Sequence, residues 1–432
     1  SDFRGIRPYS RSEAARLLEE ARRNSHRLTD EKSLDLFKHL CSELESYVIR
    51  EKILANPEKK PPLLDWTPIS SARLRFVYLD GVPRNYERLV HDPGGDGVFG
   101  IGGGLRPDNP YPSPVQQRGT EGTPLLENNE GHRYLAGSNG EIRFFTEGYI
   151  GRYLSAAIEP LVSFQEENAA ASLRLNKAYL KLGYAALELE IGRDAAWLGP
   201  GYRGAITLTD NARNLDLVKL SSPEPFPLWI FGDMKYALIA SRLDETNTSG
   251  VVRHPWFYAL KLSLKPTSPL EIGFNLGRQV GGPGVNNSIG DTLRGIIGGT
   301  NADNSNGLAG FDIRYRASWL RNTEFYGEFS GEDTAGFWPI VESYVAGIFI
   351  PRLTDDGRND LRFEYFQGNQ VLYTNGTFPE GYLYRGMPIG HSQGGATQEL
   401  FFRYCHWFSP RSTIALEYFN TRRGVVGKMP GQ

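Results

Sequence analysis

The stretch Leu270-Glu271-Ile272-Gly273-Phe274-Asn275-Leu276-Gly277 places an apolar side chain at every second position. Successive side chains of an extended strand point to opposite faces, so this period of two puts the apolar residues on one face. The same alternation recurs elsewhere, often with charged residues on the other face. These further segments are residues 187–192, 258–265, 311–319, 361–366 and 414–419. The sequence therefore predicts a mainly β protein with many two-faced strands.

Strand length and aromatic placement favour a membrane barrel over a soluble sandwich or propeller, which would also alternate. Several predicted strands run about ten residues, the length that a tilted membrane-spanning strand needs. Aromatic residues also cluster near strand ends, as in the girdles at membrane interfaces. The clusters are Tyr149 and Tyr153, Trp229 and Phe231, Trp256 and Phe257, Phe337 and Trp338, and Trp407 and Phe408. We therefore expect a transmembrane antiparallel β-barrel in contact with membrane lipid.

Composition argues against several other classes of protein. The 432 residues carry a net charge of −2, which gives no reason to expect a nucleic acid partner. No apolar stretch approaches the roughly 18 residues of a spanning helix. The mean hydropathy of −0.41 is compatible with a barrel, because only every second strand residue faces lipid. The polar start of the chain is expected to belong to a mature or trimmed form.

The first sixty residues follow a helical period instead. Ser10 and Glu13 form a capping box at the start of one helix. Apolar residues at helical spacing predict a second helix from about Thr29 to Val48. We therefore expect a helical hairpin over residues 1–60 and a barrel over residues 61–432.

Two segments within the barrel region are predicted to be long irregular loops. His91 to Asn139 is rich in Gly, Pro and Asn, and Gly281 to Asn306 is rich in Gly and Asn. Ordered loops of such length are usually functional. In a barrel they are expected to be either surface loops or lumen plugs, and if they face outward they are the candidates for contact with a ligand.

The motifs that suggest catalysis or metal binding do not stand in the required context. Gly390-His391-Ser392-Gln393-Gly394 matches the G-x-S-x-G elbow of hydrolases. That elbow needs a helix after the serine, but Thr397 to Phe408 is predicted to be a strand, and no Asp follows Ser392. The seven histidines are scattered without metal-ligand spacing. We expect a glycine-rich turn here, and neither catalytic residues, nor a metal, nor a cofactor.

A set of charged residues shares the non-apolar parity of the predicted strands and is expected to line the lumen. These residues are Glu188, Glu190, Asp312, Arg314, Arg316, Glu324, Glu328, Arg362, Glu364 and Glu417. Two interpretations stay open. The charges either pair across a hydrated lumen, or form a lining that contacts sugar hydroxyls or tunes ion flow.

Residues 191–201, Ile-Gly-Arg-Asp-Ala-Ala-Trp-Leu-Gly-Pro-Gly, together with Leu208-Thr209-Asp210-Asn211-Ala212, resemble the signature region of the Wzi capsule-assembly family. Residues 220–226, residues 386–395 and Arg7-Pro8-Tyr9-Ser10-Arg11 before a helix are also similar to that family. The positions that match the family motif are Gly192, Arg193, Asp194, Trp197, Gly199, Pro200, Gly201, Asn211 and His391. The segment from Arg193 to Gly201 is expected to be an architectural turn or a lumen constriction.

The resemblance implies an outer-membrane barrel of about eighteen strands with a periplasmic helical module. It implies a lectin-like role that retains capsular or exopolysaccharide at the surface of a Gram-negative bacterium, without catalysis or a cofactor. The chain ends at Gln432 without the terminal aromatic residue that is usual in such barrels, which leaves the strand count open. From the residues alone, a porin or specific channel is the main alternative. A structural partner that docks on periplasmic or outer-membrane export machinery is a third.

Overall fold

Fifteen long strands follow one another through a single antiparallel sheet, in which each is hydrogen-bonded to its neighbours in chain order. The computed structural model describes residues 2–56, 58–81, 84–92, 97–98, 101–102, 111–123, 125–184, 186–244, 246–248, 251–281, 290, 305–335, 338–375, 378 and 381–423. The first eight strands are β1 Leu64–Leu79, β2 Gly137–Ile150, β3 Leu154–Gln165, β4 Ala170–Tyr184, β5 Leu187–Asp194, β6 Leu215–Ser221, β7 Asp233–Arg242 and β8 Trp256–Thr267. The others are β9 Leu270–Val280, β10 Ser305–Ala317, β11 Thr323–Ala335, β12 Trp338–Ile350, β13 Asn359–Gly368, β14 Thr397–Ser409 and β15 Ser412–Arg423.

The two faces of this sheet invert the burial pattern of a soluble protein. Lys261 and Asp312 on the inner face are 0% and 2% exposed, whereas Leu74, Ile313 and Leu416 on the outer face are 80%, 50% and 68% exposed. Water would penalise this arrangement, but a lipid environment stabilises it, because apolar side chains contact hydrocarbon there. The alternation in the sequence correctly predicted which side chains lie on each face.

The sheet curls until its two edges bond to interior residues that are close to one another. Arg73 and Arg75 of β1 each donate to Asn129 over 3.4 Å. At the other edge, Arg423 of β15 donates to Gln393 over 2.6 Å. Gln393 in turn donates to Glu127, two positions from Asn129, over 3.5 Å. The fold is thus the predicted antiparallel β-barrel. Its main sheet contains sixteen strands in the described residues, including the short Phe226–Pro227, against an expectation of about eighteen.

The longest connections between strands lie at one end of the barrel, although that end also has the short turn 166–169 and the other end has the connection 222–232. At one end, called the helix end, β2–β3, β8–β9, β10–β11 and β14–β15 are joined by turns of five residues or fewer. The opposite end, called the loop end, carries the connections 195–214, 243–255 and 369–396. Short turns on one side and long loops on the other are typical of outer-membrane barrels.

Three helices lie against the helix end, where the sequence pattern predicted two. They are α1 Arg11–Arg23, α2 Glu31–Glu43 and α3 Glu45–Ala55, with a 3-10 turn at Ser25–Arg27. The predicted second helix breaks at Leu44, because its two halves have different partners. In α2, Glu43 pairs with Arg411 of the β14–β15 turn at 2.6 Å. In α3, Val48 packs instead against Leu18 of α1.

The segment His91 to Asn139 is only partly irregular, so that expectation was wrong in part. Tyr111–Gly122 is a strand that pairs with Arg84–Asp92 as an insertion between β1 and β2. Most of Gly281 to Asn306 lies outside the described residues. The remaining short pairings are Ile6–Arg7 with Trp197–Leu198, Gly97–Val98 with Ile101–Gly102, Thr246–Thr248 with Val251–Arg253, and Leu383–Tyr384 with Met387–Pro388. A second 3-10 turn spans Trp229–Phe231. In the described part of the chain, no helix is sufficiently long and apolar to span a membrane.

The barrel should migrate differently on a detergent gel before and after boiling. The continuous hydrogen-bond ladder leaves the detergent few exposed backbone groups to attack until heat separates the strands. Gel electrophoresis of boiled and unboiled samples measures this directly. Identical mobility of the two samples would contradict the barrel fold.

The substitution Ile272→Arg should lower the free energy of unfolding in lipid by up to about 2–4 kcal/mol, which is the cost of an arginine on the lipid face at the bilayer centre and falls toward the interfaces. Ile272 lies on the outer face of β9, opposite Leu264 and Ile313 of its neighbours. Denaturant titration in vesicles measures the change. Ser268→Arg, in the exposed turn between β8 and β9, is the matched control and should cost much less. Equal stability of Ile272→Arg and wild type would refute the assigned outer face.

Candidate functional site

Three segments of the chain itself fill much of the barrel lumen, beside residues 127–134, in which Asn129 and Tyr134 are also buried. Residues 2–9 enter from the helix end, and the connections 195–214 and 369–396 fold in from the loop end. Their apolar side chains pack with inward residues of the strands, such as Phe257 and Val345, into one buried cluster. The plug residues of that cluster include Leu198, Ile206, Leu208, Leu372, Tyr373, Tyr382 and Ile389. We call these three segments the plug.

Residues 2–9 contact the connection 195–214, which carries most of the family motif. Ile6 and Arg7 pair as a short antiparallel ladder with Leu198 and Trp197. The Arg7 guanidinium lies over the Trp197 ring, 4.3 Å from its centroid. It also donates to the carbonyl oxygen of Gly201 over 2.5 Å. The Gly199-Pro200-Gly201 turn thus supplies carbonyl acceptors, and Trp197 supplies a ring face. Together they hold residues 2–9 inside the barrel.

Two inward carboxylates of the wall bind the backbone of the same loop. Glu364 of β13 accepts the N–H groups of Tyr202 and Arg203 over 2.7 and 2.8 Å. Glu328 of β11 accepts the N–H of Ile206 over 3.0 Å. Hydrogen bonds to charged groups are worth about 1.5–3 kcal/mol each, roughly twice a neutral pair. These carboxylates therefore anchor the plug to the wall.

His391 joins the two loops from the loop end. Its ring is buried and stacks on Phe366 with 3.6 Å between the centroids, and its backbone N–H donates to the Tyr373 hydroxyl over 2.7 Å. That hydroxyl donates to the carbonyl of Ile206 over 2.6 Å. A Cβ atom at Gly204 would lie 2.1 Å from the His391 ring, so only glycine fits there. Burial lowers the pKa of His391 well below its ordinary value, and the ring is neutral.

Asn211 connects the same two loops through its amide. The Asn211 side chain donates to the carbonyl of Pro388 over 3.0 Å. Next to it, the hydroxyl of Thr209 donates to the carbonyl of Gly390 over 2.6 Å. The motif residues Asn211 and His391 therefore lie in two loops that are bonded to each other, although 180 positions separate them in sequence.

The remaining motif residues divide between the two faces of the wall. Gly192 has a φ of +139°, and a Cβ there would lie 2.2 Å from the carbonyl oxygen of Ala178. Arg193 points outward and forms a two-pronged ion pair with Asp216 at 2.8 and 2.7 Å. Asp194 points inward, is 3% exposed and accepts the N–H of Ala195. The expected constriction is therefore formed from Asp194 onward and not by Arg193.

All ten charged residues predicted to line the lumen lie on the inner face. Most pair with another strand or with the plug, as Glu190 does with Lys219 at 2.5 Å and Arg314 with Glu324 at 2.8 Å. Arg362 stacks over the Tyr202 ring at 4.4 Å. The others are placed as follows: Glu188 near Lys181, Asp312 with Lys261, Arg316 near Asp2, and Glu417 with Arg403. These contacts support the interpretation of paired charges, but the partners lie on nearby strands or in the plug and not across the lumen.

Residues 2–9 add charges to this network that the sequence pattern did not identify. Burial alone would raise the pKa of Asp2, but Arg314, Lys265 and Arg4 overcome that effect and hold the pKa well below its ordinary value. Asp2 thus stays ionised at the helix end. A polar start of chain gives no periodic signal, so its place in the lumen could not be inferred.

Two adjoining polar cavities remain between the plug and the wall of β1–β7. The larger, of 420 Å³, has tyrosines and charged groups in its lining, among them Tyr9, Tyr149 and Lys181. The smaller, of 220 Å³, includes Asn128 and Asp210. Burial, followed by the charge of Glu130, raises the pKa of Asp210 to about 7.

The elbow-like serine lies in the plug and not on a strand-to-helix turn. Ser392 is fully buried and accepts from the Gln393 amide over 3.4 Å. The next element is β14, so the predicted strand after the serine is present and the helix that a hydrolase elbow requires is not. In the residues that the structure describes, no group of three His, Cys, Asp or Glu side chains is placed to hold a metal ion.

Three comparisons relate the chain to known proteins. The family model for capsule assembly protein Wzi matches residues 106–432. A solved structure titled as Wzi, an outer membrane protein involved in group 1 capsule assembly in Escherichia coli and a carbohydrate-binding β-barrel, is similar with a TM-score of 0.66. It is 18% identical, and the match covers 97% of this chain and 80% of that one. This similarity supports the fold.

An uncharacterized 55.8 kDa protein in the cps region of Klebsiella pneumoniae is 28% identical over 186 residues. The match spans 40% of this chain and 36% of that relative, so the chain covers about a third of the relative's length. The family model, by contrast, extends from residue 106 through both loop-end plug segments to the last strand. The chain therefore belongs to the family of capsule assembly protein Wzi.

Proposed function

We propose that this protein retains capsular or exopolysaccharide at the outer surface of a Gram-negative bacterium, as a lectin-like outer-membrane barrel and not as a channel. The filled lumen carries this proposal. A diffusion channel needs a water path, but here three chain segments are bonded to the wall and to each other. The solved relative is described as a carbohydrate-binding barrel involved in capsule assembly, which supports the same role.

The distribution of connections supports an orientation with the helices in the periplasm. Outer-membrane barrels have short periplasmic turns and long extracellular loops. Helices α2 and α3 contact the connections at this end: Arg50 of α3 donates to the carbonyl of Gly151 over 3.1 Å, and Glu31 of α2 pairs with Arg358 at 3.2 Å. The loop end then faces outward, toward the polymer.

The polymer contact is proposed for the loop end. His91 to Asn139 and Gly281 to Asn306 remain the candidate contact segments, although much of both lies outside the described residues. Polysaccharide binds through aromatic faces and through polar groups that bond hydroxyls, and it needs no catalytic group. The helices, which cover the opposite end, are the proposed contact for periplasmic or outer-membrane export machinery.

A strain without this protein should still make and export polymer but should release more of it into the medium. The protein is proposed to hold polymer and not to synthesise it, so total polymer should stay constant. Quantifying uronic acid or total sugar in cell-bound and supernatant fractions measures the partition. Ser392→Ala should restore retention as fully as the wild-type chain. Unchanged retention in the deletion strain would contradict the proposed function, and ester hydrolysis abolished by Ser392→Ala would establish an enzyme.

The intact protein should show low conductance in planar bilayers, and Glu328→Gln/Glu364→Gln should show larger steps. Loss of a carboxyl acceptor weakens its hydrogen bonds to plug N–H groups, by about 0.5–1.5 kcal/mol each for a neutral carboxyl and about 1.5–3 kcal/mol each for an ionised one, which favours displacement of the loop. Asp355→Asn, at a position whose side chain is 95% exposed in a helix-end turn, is the control and should behave like wild type. Gel mobility before and after boiling shows that each variant is folded. Large stable steps from the wild-type protein would favour the porin alternative.

A further inference from the structure

Four arginines lie close together on the outer rim of the barrel at the loop end. Arg193 is the last residue but one of β5, and Arg242 is the last residue of β7. Both lie on the outward face. Arg213 is exposed in the connection 195–214, and Arg385 is 58% exposed in the connection 369–396. We call these four residues the rim arginines. They come from four separate parts of the chain that the barrel brings to one place.

A groove of 600 Å³ runs from the lipid-facing surface up to this rim. Its lower part includes Ile191 and Val218, which are 54% and 45% exposed on the outer face. Its upper part includes Arg242, Arg385 and Trp256. The Arg242 guanidinium lies over the Trp256 ring, 4.7 Å from its centroid. The groove is thus apolar toward the membrane and charged and aromatic above it, where Asp216 and Asp244 also line it. Arg193 and Arg213 lie near this lining without being part of it.

In the described part of this rim, the four arginines face two carboxylates. Asp216 pairs with Arg193 at 2.7 Å, and Asp244 pairs with Arg385 at 3.2 Å. Within the described residues, Arg213 has no ion pair. This local excess is notable because the whole chain has a net charge of −2.

The rim arginines also repel one another. Arg213 is partly shielded from solvent by its neighbours, and this desolvation is the largest cause that lowers its pKa. The charge of Arg385 comes next, with smaller effects from Arg133 and Arg193. A bound anion would relieve this repulsion, because an opposite charge stabilises each guanidinium. Guanidinium groups match the geometry of phosphate oxygens in particular.

We propose that this groove binds a phosphorylated glycolipid of the outer leaflet, with its phosphates on the rim arginines and its acyl chains along Ile191 and Val218. The proposal rests on the proposed orientation, in which the loop end faces outward. An acidic polysaccharide would satisfy the arginines but would leave the apolar half of the groove uncovered. An amphiphile matches both halves, and Trp256 lies at the height where interfacial aromatics meet headgroups.

Native mass spectrometry of the full chain in detergent, titrated with bisphosphorylated lipid A, tests the proposal. Arg213→Gln/Arg385→Gln should weaken binding by at least about tenfold, since each lost charge-assisted hydrogen bond is worth about a factor of ten. Arg321→Gln/Arg411→Gln is the matched control, because both arginines are exposed at the opposite, helix-end rim. It should bind like wild type. Wild type should bind phosphate-free lipid A about as weakly as the rim variant binds the bisphosphorylated form.

Equal affinity of wild type and the rim variant for lipid A would overturn the proposal, as would equal loss in the control variant. Equal binding of phosphorylated and phosphate-free lipid A by wild type would also overturn it, and this comparison needs no variant. Loss of soluble acidic polysaccharide binding in the rim variant, with lipid A binding retained, would assign the arginines to the polymer instead. Unchanged polymer retention in a deletion strain, with phosphate-dependent lipid A binding intact, would refute the proposed function alone.

Discussion

Hydrocarbon offers no hydrogen-bond partner to a backbone, and the rest of this structure depends on that constraint. Each strand must pair on both sides, so the strands form a continuous sheet in chain order that curls round an interior. A sheet of this many strands encloses more space than its own inward side chains can fill. The loop-end connections 195–214 and 369–396 supply the missing volume, so the protein has a packed core inside its wall.

The core inside the wall is held by charge as well as by apolar packing, and this explains the character of the inner face. A carboxylate buried without a partner is costly, so each inward charge needs a counterpart in the wall or in the plug. Glu364 and Glu328 find theirs in the backbone N–H groups of the plug, and Asp2 finds its own in Arg314 and Lys265. The wall therefore provides hydrogen-bond and ion-pair partners for polar groups of the plug, and the plug does the same for polar groups of the wall.

The sequence predicted the parts of this structure that repeat and missed the parts that do not. A period of two assigned Glu190 and Arg314 to the inner face correctly, because parity alone decides the face of a strand residue. The break at Leu44 was missed, since apolar spacing continues through it and only the contacts of Glu43 and Val48 differ. The meeting of Asn211 with His391 could not be predicted, because it depends on two aperiodic loops folding into one lumen.

Residues 2–9 lie inside a wall that is completed hundreds of positions later in the chain. Asp2 reaches Arg314 across a separation of 312 residues, so the segment has no fixed place until β10 is in the sheet. Contacts between such distant parts of a chain form late and slowly. The start of the chain is thus among the last parts to find its partners. Docking of residues 2–9 therefore has to accompany or follow the closure of the strands that surround them.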